Sequence, residues 1–151
     1  MRKATLIAAI AAFALPAAAL AAPVPQNVVV AVDRNVPIAN FMPTRMLAGY
    51  AYASWSYKQG VLRMQFRASG GRTILWMVQP MRGTCDAGKQ KSFQLAGNKV
   101  WWAQSGGTQR AWRCTFAADG VPLRMTASST TPTTKLADIG LGRVVASGKR
   151  Y

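Results

Sequence analysis

The sequence predicts an α+β fold: a mainly antiparallel β-sheet of six or seven strands, arranged as a meander, with a C-terminal helix packed on one face. Three observations carry that expectation. Between Tyr50 and Ser128, short runs rich in aromatic and β-branched residues are separated by turns built on Gly, Asn and Asp. In the run from Val61 to Arg67, Leu62, Met64 and Phe66 fall on one side, and Arg63, Gln65 and Arg67 on the other. That period of two marks a half-buried strand with a basic outer face. Beyond Ser128 the pattern changes, and Leu136, Ile139, Leu141, Val144 and Val145 supply the apolar side of a helix.

The chain opens with Arg2 and Lys3, an apolar run from Ala4 to Leu15, Pro16 and a small-residue stretch through Ala22. This is the pattern of an export signal, and Ala19-Leu20-Ala21 fits an A-x-A site cleaved after Ala21. The competing reading is a membrane anchor. A spanning helix needs about 20 predominantly apolar residues, and this run is short, alanine-rich and interrupted by proline. The expected organisation is a signal peptide over 1–21, an N-terminal segment over 22–49, and the meander with its helix over 50–151. Residues 22–151 form a single domain, and the protein is expected in a periplasm or outside the cell.

Within 22–49, Val28 to Val32 is a β-branched run and predicts a short strand, while Pro37 and Pro43 interrupt regular structure on either side of Phe41. Tyr50 to Tyr57 is the next strand, turned at Lys58-Gln59-Gly60 into Val61 to Arg67. Ser69-Gly70-Gly71 leads into the apolar strand Thr73 to Val78, which Pro80 closes. A loop around Cys85 precedes Ser92 to Leu95, and Gly97-Asn98 turns into Val100 to Gln104. Ser105-Gly106-Gly107 returns the chain through Arg110 to Phe116, and Asp119-Gly120 precedes Leu123 to Ser128. The helix is expected from about Lys135 to Ser147, with Thr133 or Thr134 as its cap and Gly148 as its stop.

Cys85 and Cys114 are the only cysteines, an even number in a chain read as exported, and predict a disulfide. Closing a loop of about thirty residues stabilises a fold by roughly 3–4 kcal/mol in the chain-entropy description.

Composition argues against most catalytic chemistry. The chain contains no histidine, and its four acidic residues are all aspartates: Asp33, Asp86, Asp119 and Asp138. A serine–histidine–aspartate arrangement is therefore ruled out, and zinc lacks its usual imidazole and thiolate ligands. Ser56-Tyr57-Lys58 lies at a strand end where lysine normally faces solvent, and the Gly pairs lack the strand-to-helix setting of a phosphate loop. Each aspartate has an ordinary turn or surface explanation. The expectation is a protein without catalytic residues, metal or cofactor.

What the sequence does offer is basic and aromatic. Seventeen lysines and arginines against four aspartates leave the chain beyond Ala21 at a net charge of +13, with five tryptophans. If the Gly106-Gly107 hairpin pairs Gln104 with Arg110, then Trp102 faces Trp112 and Trp101 faces Arg113. Alternation then sends Trp102, Trp112 and Cys114 to the core and Trp101 and Arg113 outward, close enough for a cation–π contact. Arg63, Gln65, Arg67 and Arg124 join them, so the predicted binding face is Arg63, Gln65, Arg67, Trp101, Arg113 and Arg124. Arginine forks match phosphate and carboxylate, and an exposed tryptophan is a frequent interface anchor. The same arginines would equally serve a solvated face that resists aggregation.

Met42-Pro43, followed by Gly49-Tyr50, is similar to the LP-x-G-[FY] opening of a β-rich domain found C-terminally in periplasmic regulators of envelope-stress sigma factors (MucB/RseB type). The stretch Leu136 to Ser147, ending Val144-Val145-Ala146-Ser147, resembles the terminal helix of those domains. The resemblance covers the order of elements over about 110 residues and implies a similar fold with no catalysis. In that family the domain holds the periplasmic segment of an anti-sigma factor. The large N-terminal lipoprotein-carrier-like domain of the regulators has no counterpart in this sequence.

Two kinds of partner follow. One is an anionic envelope polymer or glycolipid, or an acidic protein segment, docked on the basic face. The other is one cognate protein bound through shape, as in a regulatory or immunity-type protein. Charge alone would favour nucleic acid, but export away from the cytoplasm argues against it.

Overall fold

A computed structural model describes residues 22–86, 90–129 and 137–151, with only the backbone for 137–139. The expected signal peptide and the Thr133 and Thr134 caps therefore lie outside the described residues. In chain order the elements are α1 (Gln26–Asn35), β1 (Phe41–Pro43), β2 (Ala51–Lys58), β3 (Val61–Arg67), β4 (Thr73–Pro80), β5 (Lys91–Leu95), β6 (Asn98–Ser105), β7 (Thr108–Phe116), β8 (Pro122–Ser129), α2 (Ala137–Ala146) and β9 (Gly148–Arg150). The class is α+β, with a seven-stranded antiparallel sheet, a small β1–β9 sheet and α2 packed on β6, β7 and β8.

The large sheet runs β2-β3-β4-β8-β7-β6-β5. Two meanders, β2-β3-β4 and β5-β6-β7-β8, are joined where β4 pairs with β8, so the expected continuous meander is interrupted once. The interruption matters for the site. Beyond β4, residues 81–86 run over the neighbouring strands β8 and β7.

One face of the sheet is the core. Leu62, Met64 and Phe66 on β3, Ile74, Trp76 and Val78 on β4, and Leu123, Met125 and Ala127 on β8 are fully buried. Trp76 stands between Met64 on one neighbouring strand and Ala127 on the other, with Ala111 beyond. The small alanines accommodate the large indole. Its Nε1 donates to Phe41 O at 3.0 Å, which fastens β1 over the sheet and satisfies a buried donor.

Val28 to Val32 is helical, not the strand its β-branched composition predicts. Buried Val28, Val29, Val32 and Val36 recur at helical spacing and join the core, so packing overrides the weak intrinsic preference. The helix stops before Pro37 because the residue preceding a proline disfavours helical geometry, and Val36 is extended. Asn40 Nδ2 then ties this end together, donating to Asp33 Oδ1 at 3.1 Å and to Tyr151 O at 2.7 Å.

At the other end, Gly148 begins β9, and its conformation is not the reason for its presence. A β-carbon there would stand 2.7 Å from Trp76 Cη2 and 2.9 Å from Met125 Sδ. Its smallness lets β9 lie on the core. Among the described residues, no helix is long and apolar enough to cross a membrane.

Candidate functional site

The sheet face opposite α2 holds the candidate site, and its composition follows from the β6–β7 register. Ser105 pairs with Thr108, so Gly106 and Gly107 form a two-residue turn. Both have positive φ, 55° and 80°, as a turn matching the twist of a hairpin requires. The sequence expectation of Gln104 opposite Arg110 implied a longer loop and was one residue out of register. Gln104 faces Gln109, Trp101 faces Trp112 and Trp102 faces Ala111. A slip of one residue reverses every side chain of a strand.

Three assignments therefore change. Trp112 and Cys114 lie on the open face rather than in the core, and Arg113 lies on the core face rather than outside. Arg113 is 9% exposed. Its Nε donates to Val145 O at 3.0 Å, its Nη1 to Asn98 Oδ1 at 2.9 Å, and its Nη2 to Gly148 O. Burial lowers its pKa from the ordinary guanidinium value. It is a structural residue that takes up carbonyls at the C-terminal end of α2, where a cation is favoured. The cation on the Trp101 ring is Lys99, with Nζ 5.3 Å from the centroid, and not Arg113.

The other predicted residues do share the open face. Arg63 is flanked by Ser56 and Met77, Gln65 by Ser54 and Leu75, and Arg67 by Ala51 and Thr73. Arg67 Nη2 donates to Gln65 Oε1 at 3.3 Å. Arg124 stands between Gln79 and Cys114, and Trp101 beside Trp112. Arg110, absent from the sequence-based set, belongs here too, beside Ala103 and Ser128. Correct placement of the Gly106-Gly107 turn would have revealed it. No aspartate occurs in any of the strands.

The crossing segment turns this flat face into a concave one. Met81 N donates to Pro122 O at 2.8 Å, Arg124 Nη2 to Thr84 O at 3.0 Å, and Trp112 Nε1 to Cys85 O at 3.0 Å. The Cys85–Cys114 disulfide bolts the same segment to β7. Together these contacts hold a strap over β8 and β7. Beside it lies a depression of 270 Å³, with Met77 and Gln79 from β4, Arg124 and Thr126 from β8, Arg110 and Trp112 from β7, Ala103 from β6, and Gln90 closing the strap side. Trp112, 5% exposed, forms part of the wall rather than a free stacking platform. Arg124 Nε is buried and meets no acceptor among the described residues.

Such a depression offers two guanidinium groups and several neutral polar groups. It can hold a small anionic group by charge-assisted hydrogen bonds. Comparison of the chain with protein-family models, with curated proteins and with solved structures returns no match.

Proposed function

We propose that this protein is an exported, non-enzymatic binding module. Its open sheet face docks on an anionic component of the cell envelope, a phosphorylated or carboxylated glycolipid or wall polymer. The observation that carries the reading is the strap-walled depression, lined by Arg110 and Arg124 on either side of Trp112 in a sheet whose strands hold no acidic residue. The unpartnered Arg124 Nε supports it, because a buried donor without an acceptor is costly until a ligand supplies one. Arg63 and Arg67 extend the positive surface along β3, as a polymer with repeated charges requires.

Export rests on the N-terminal signal pattern and agrees with a disulfide-bonded domain. The test is calorimetric titration with a phosphorylated polysaccharide at low and high salt, using the wild type and the R110Q/R124Q double variant. Binding that weakens steeply with salt and is lost in the variant supports the reading. Binding unchanged in the variant refutes it. An acidic protein segment in place of a polymer would be recognised by tighter binding of an aspartate-rich peptide than of the polysaccharide.

A further inference from the structure

The helix-bearing side of the molecule holds a second concave surface, away from the open face and its strap. The segment between β1 and β2, residues 44–50, lies alongside α2, and two depressions open there. One, of 460 Å³, is edged by Thr44, Arg45, Arg143 and Ser147. The other, of 520 Å³, is walled largely by apolar groups that include Met46, Leu47, Tyr50 and Val144. Arg45 and Arg143 border both. Two exposed guanidinium groups thus stand where a hollow of mixed lining meets a mainly apolar one, and neither has an acceptor among the described residues.

The groove is built on a fixed floor. Thr44 Oγ1 donates to Ser147 O at 2.9 Å, Arg45 N to Ser147 Oγ at 3.0 Å, and Ser147 Oγ to Val144 O at 2.7 Å. At Gly140, Leu47 Cδ2 comes within 3.1 Å of where a β-carbon would be, so the segment lies directly on the helix. The carbonyls at the end of α2, which would repel an anion, are already engaged. Val145 O accepts from Arg113, while Val144 O and Arg143 O accept from Ser147.

We infer that this groove binds a single molecule of an anionic phospholipid. Its phosphate lies between Arg45 and Arg143, and its acyl chains lie against Met46, Leu47 and Tyr50. The paired guanidinium groups supply the charge complement. The adjoining apolar hollow gives a lipid an advantage over free phosphate, and each hollow has the size of a small-molecule site. Arg72, whose guanidinium carbon is 5.8 Å from the centre of the Tyr50 ring, adds positive charge near the apolar end.

The experiment is an amide NMR titration with dihexanoyl phosphatidylglycerol kept below micelle formation, with dihexanoyl phosphatidylcholine and inorganic phosphate as comparison ligands. Saturable shifts at Arg45, Leu47, Tyr50, Gly140 and Arg143 are expected with the anionic lipid, and affinities at least about tenfold weaker for the other two. R45Q/R143Q should lose the binding while keeping the wild-type unfolding midpoint. R110Q/R124Q should keep it, because the groove is independent of the open face. Equal affinity for the choline lipid or for phosphate, absence of saturable shifts at these residues, or loss in R110Q/R124Q would overturn the inference.

Discussion

Arg113 Nε donates to Val145 O across 3.0 Å, joining the centre of the sheet to the last turn of α2 through a buried cation. With Asn98 Oδ1 and Gly148 O the same guanidinium links β7, β6, α2 and β9. Its acceptors are neutral, so its value lies in satisfied hydrogen bonds rather than in an ion pair. Arg113→Met should lower the unfolding free energy by about 2–4 kcal/mol, since it leaves buried carbonyls without donors. Arg113→Lys should recover only part of this, because an ammonium cannot reproduce the planar fork. Chemical denaturation of the two variants checks both statements. A loss under about 0.5 kcal/mol for Arg113→Met, the level of an ordinary surface change, would contradict them.

The pH dependence should be unusually flat. With no histidine and no glutamate, the side chains contribute no group that ordinarily titrates near neutrality. Burial lowers the Arg113 pKa from its ordinary value. The stability lost to its desolvation returns as pH rises through its folded value. Burial raises the Tyr52 pKa, so its contribution has the opposite sign. It is complete below the ordinary tyrosine value and is lost as pH climbs beyond it. Denaturation midpoints measured from about pH 6 to 9 should coincide, with Tyr52 adding a decline above about pH 10.

The disulfide has a local task besides its general one. Free-thiol titration of the unreduced, unfolded protein should find no thiols. Replacing Cys85 and Cys114 together by serine should cost roughly 3–4 kcal/mol. The strap should loosen first, seen as faster hydrogen exchange at the Trp112 indole, whose acceptor is Cys85 O. The Trp76 indole, bonded to Phe41 O in the core, should exchange at the rate set by global unfolding in both forms. Equal acceleration at the two indoles would show that the strap has no independent mobility.

Much of the fold was legible in the sequence, for a physical reason. Strands half-covered by a core must alternate, and Val61–Arg67 does so residue by residue; the glycine turns then mark the ends. The β1–β9 ribbon and α1 were not legible. A run such as Val28–Val32 reads as a strand until it is known that Val28, Val29, Val32 and Val36 share a core-facing side. The open face was legible at Arg63, Gln65, Arg67, Trp101 and Arg124, whose strands have unambiguous patterns. It failed at Arg113, because one hairpin was read one residue out of register, its two-residue turn counted one residue too long. Nothing local in residues 81–86 announces a strap; it follows only from the β4–β8 pairing, a contact between distant strands.

Gly148 separates close packing from turn geometry. Gly148→Ala should destabilise by about 1–3 kcal/mol, because the added methyl meets Trp76 and Met125 in a filled core. By the same account Trp76→Ala should cost about 3–5 kcal/mol, and Trp101→Ala, half-exposed at the open face, far less. Thermal or denaturant midpoints for the three variants give the order directly, and a Trp101 loss matching that of Trp76 would contradict the placement of the two faces.

The central claim is that the strap-walled depression receives an anion, and side-chain NMR tests it most directly. A phosphorylated disaccharide titrated at low salt should give saturable shifts at Arg124 Nε–H and the Trp112 indole. The Trp76 indole should remain unmoved, and the R110Q/R124Q variant should lose the response. Weak, non-saturating shifts spread over every basic surface of the protein would contradict the claim and leave the arginine face as a solvated one.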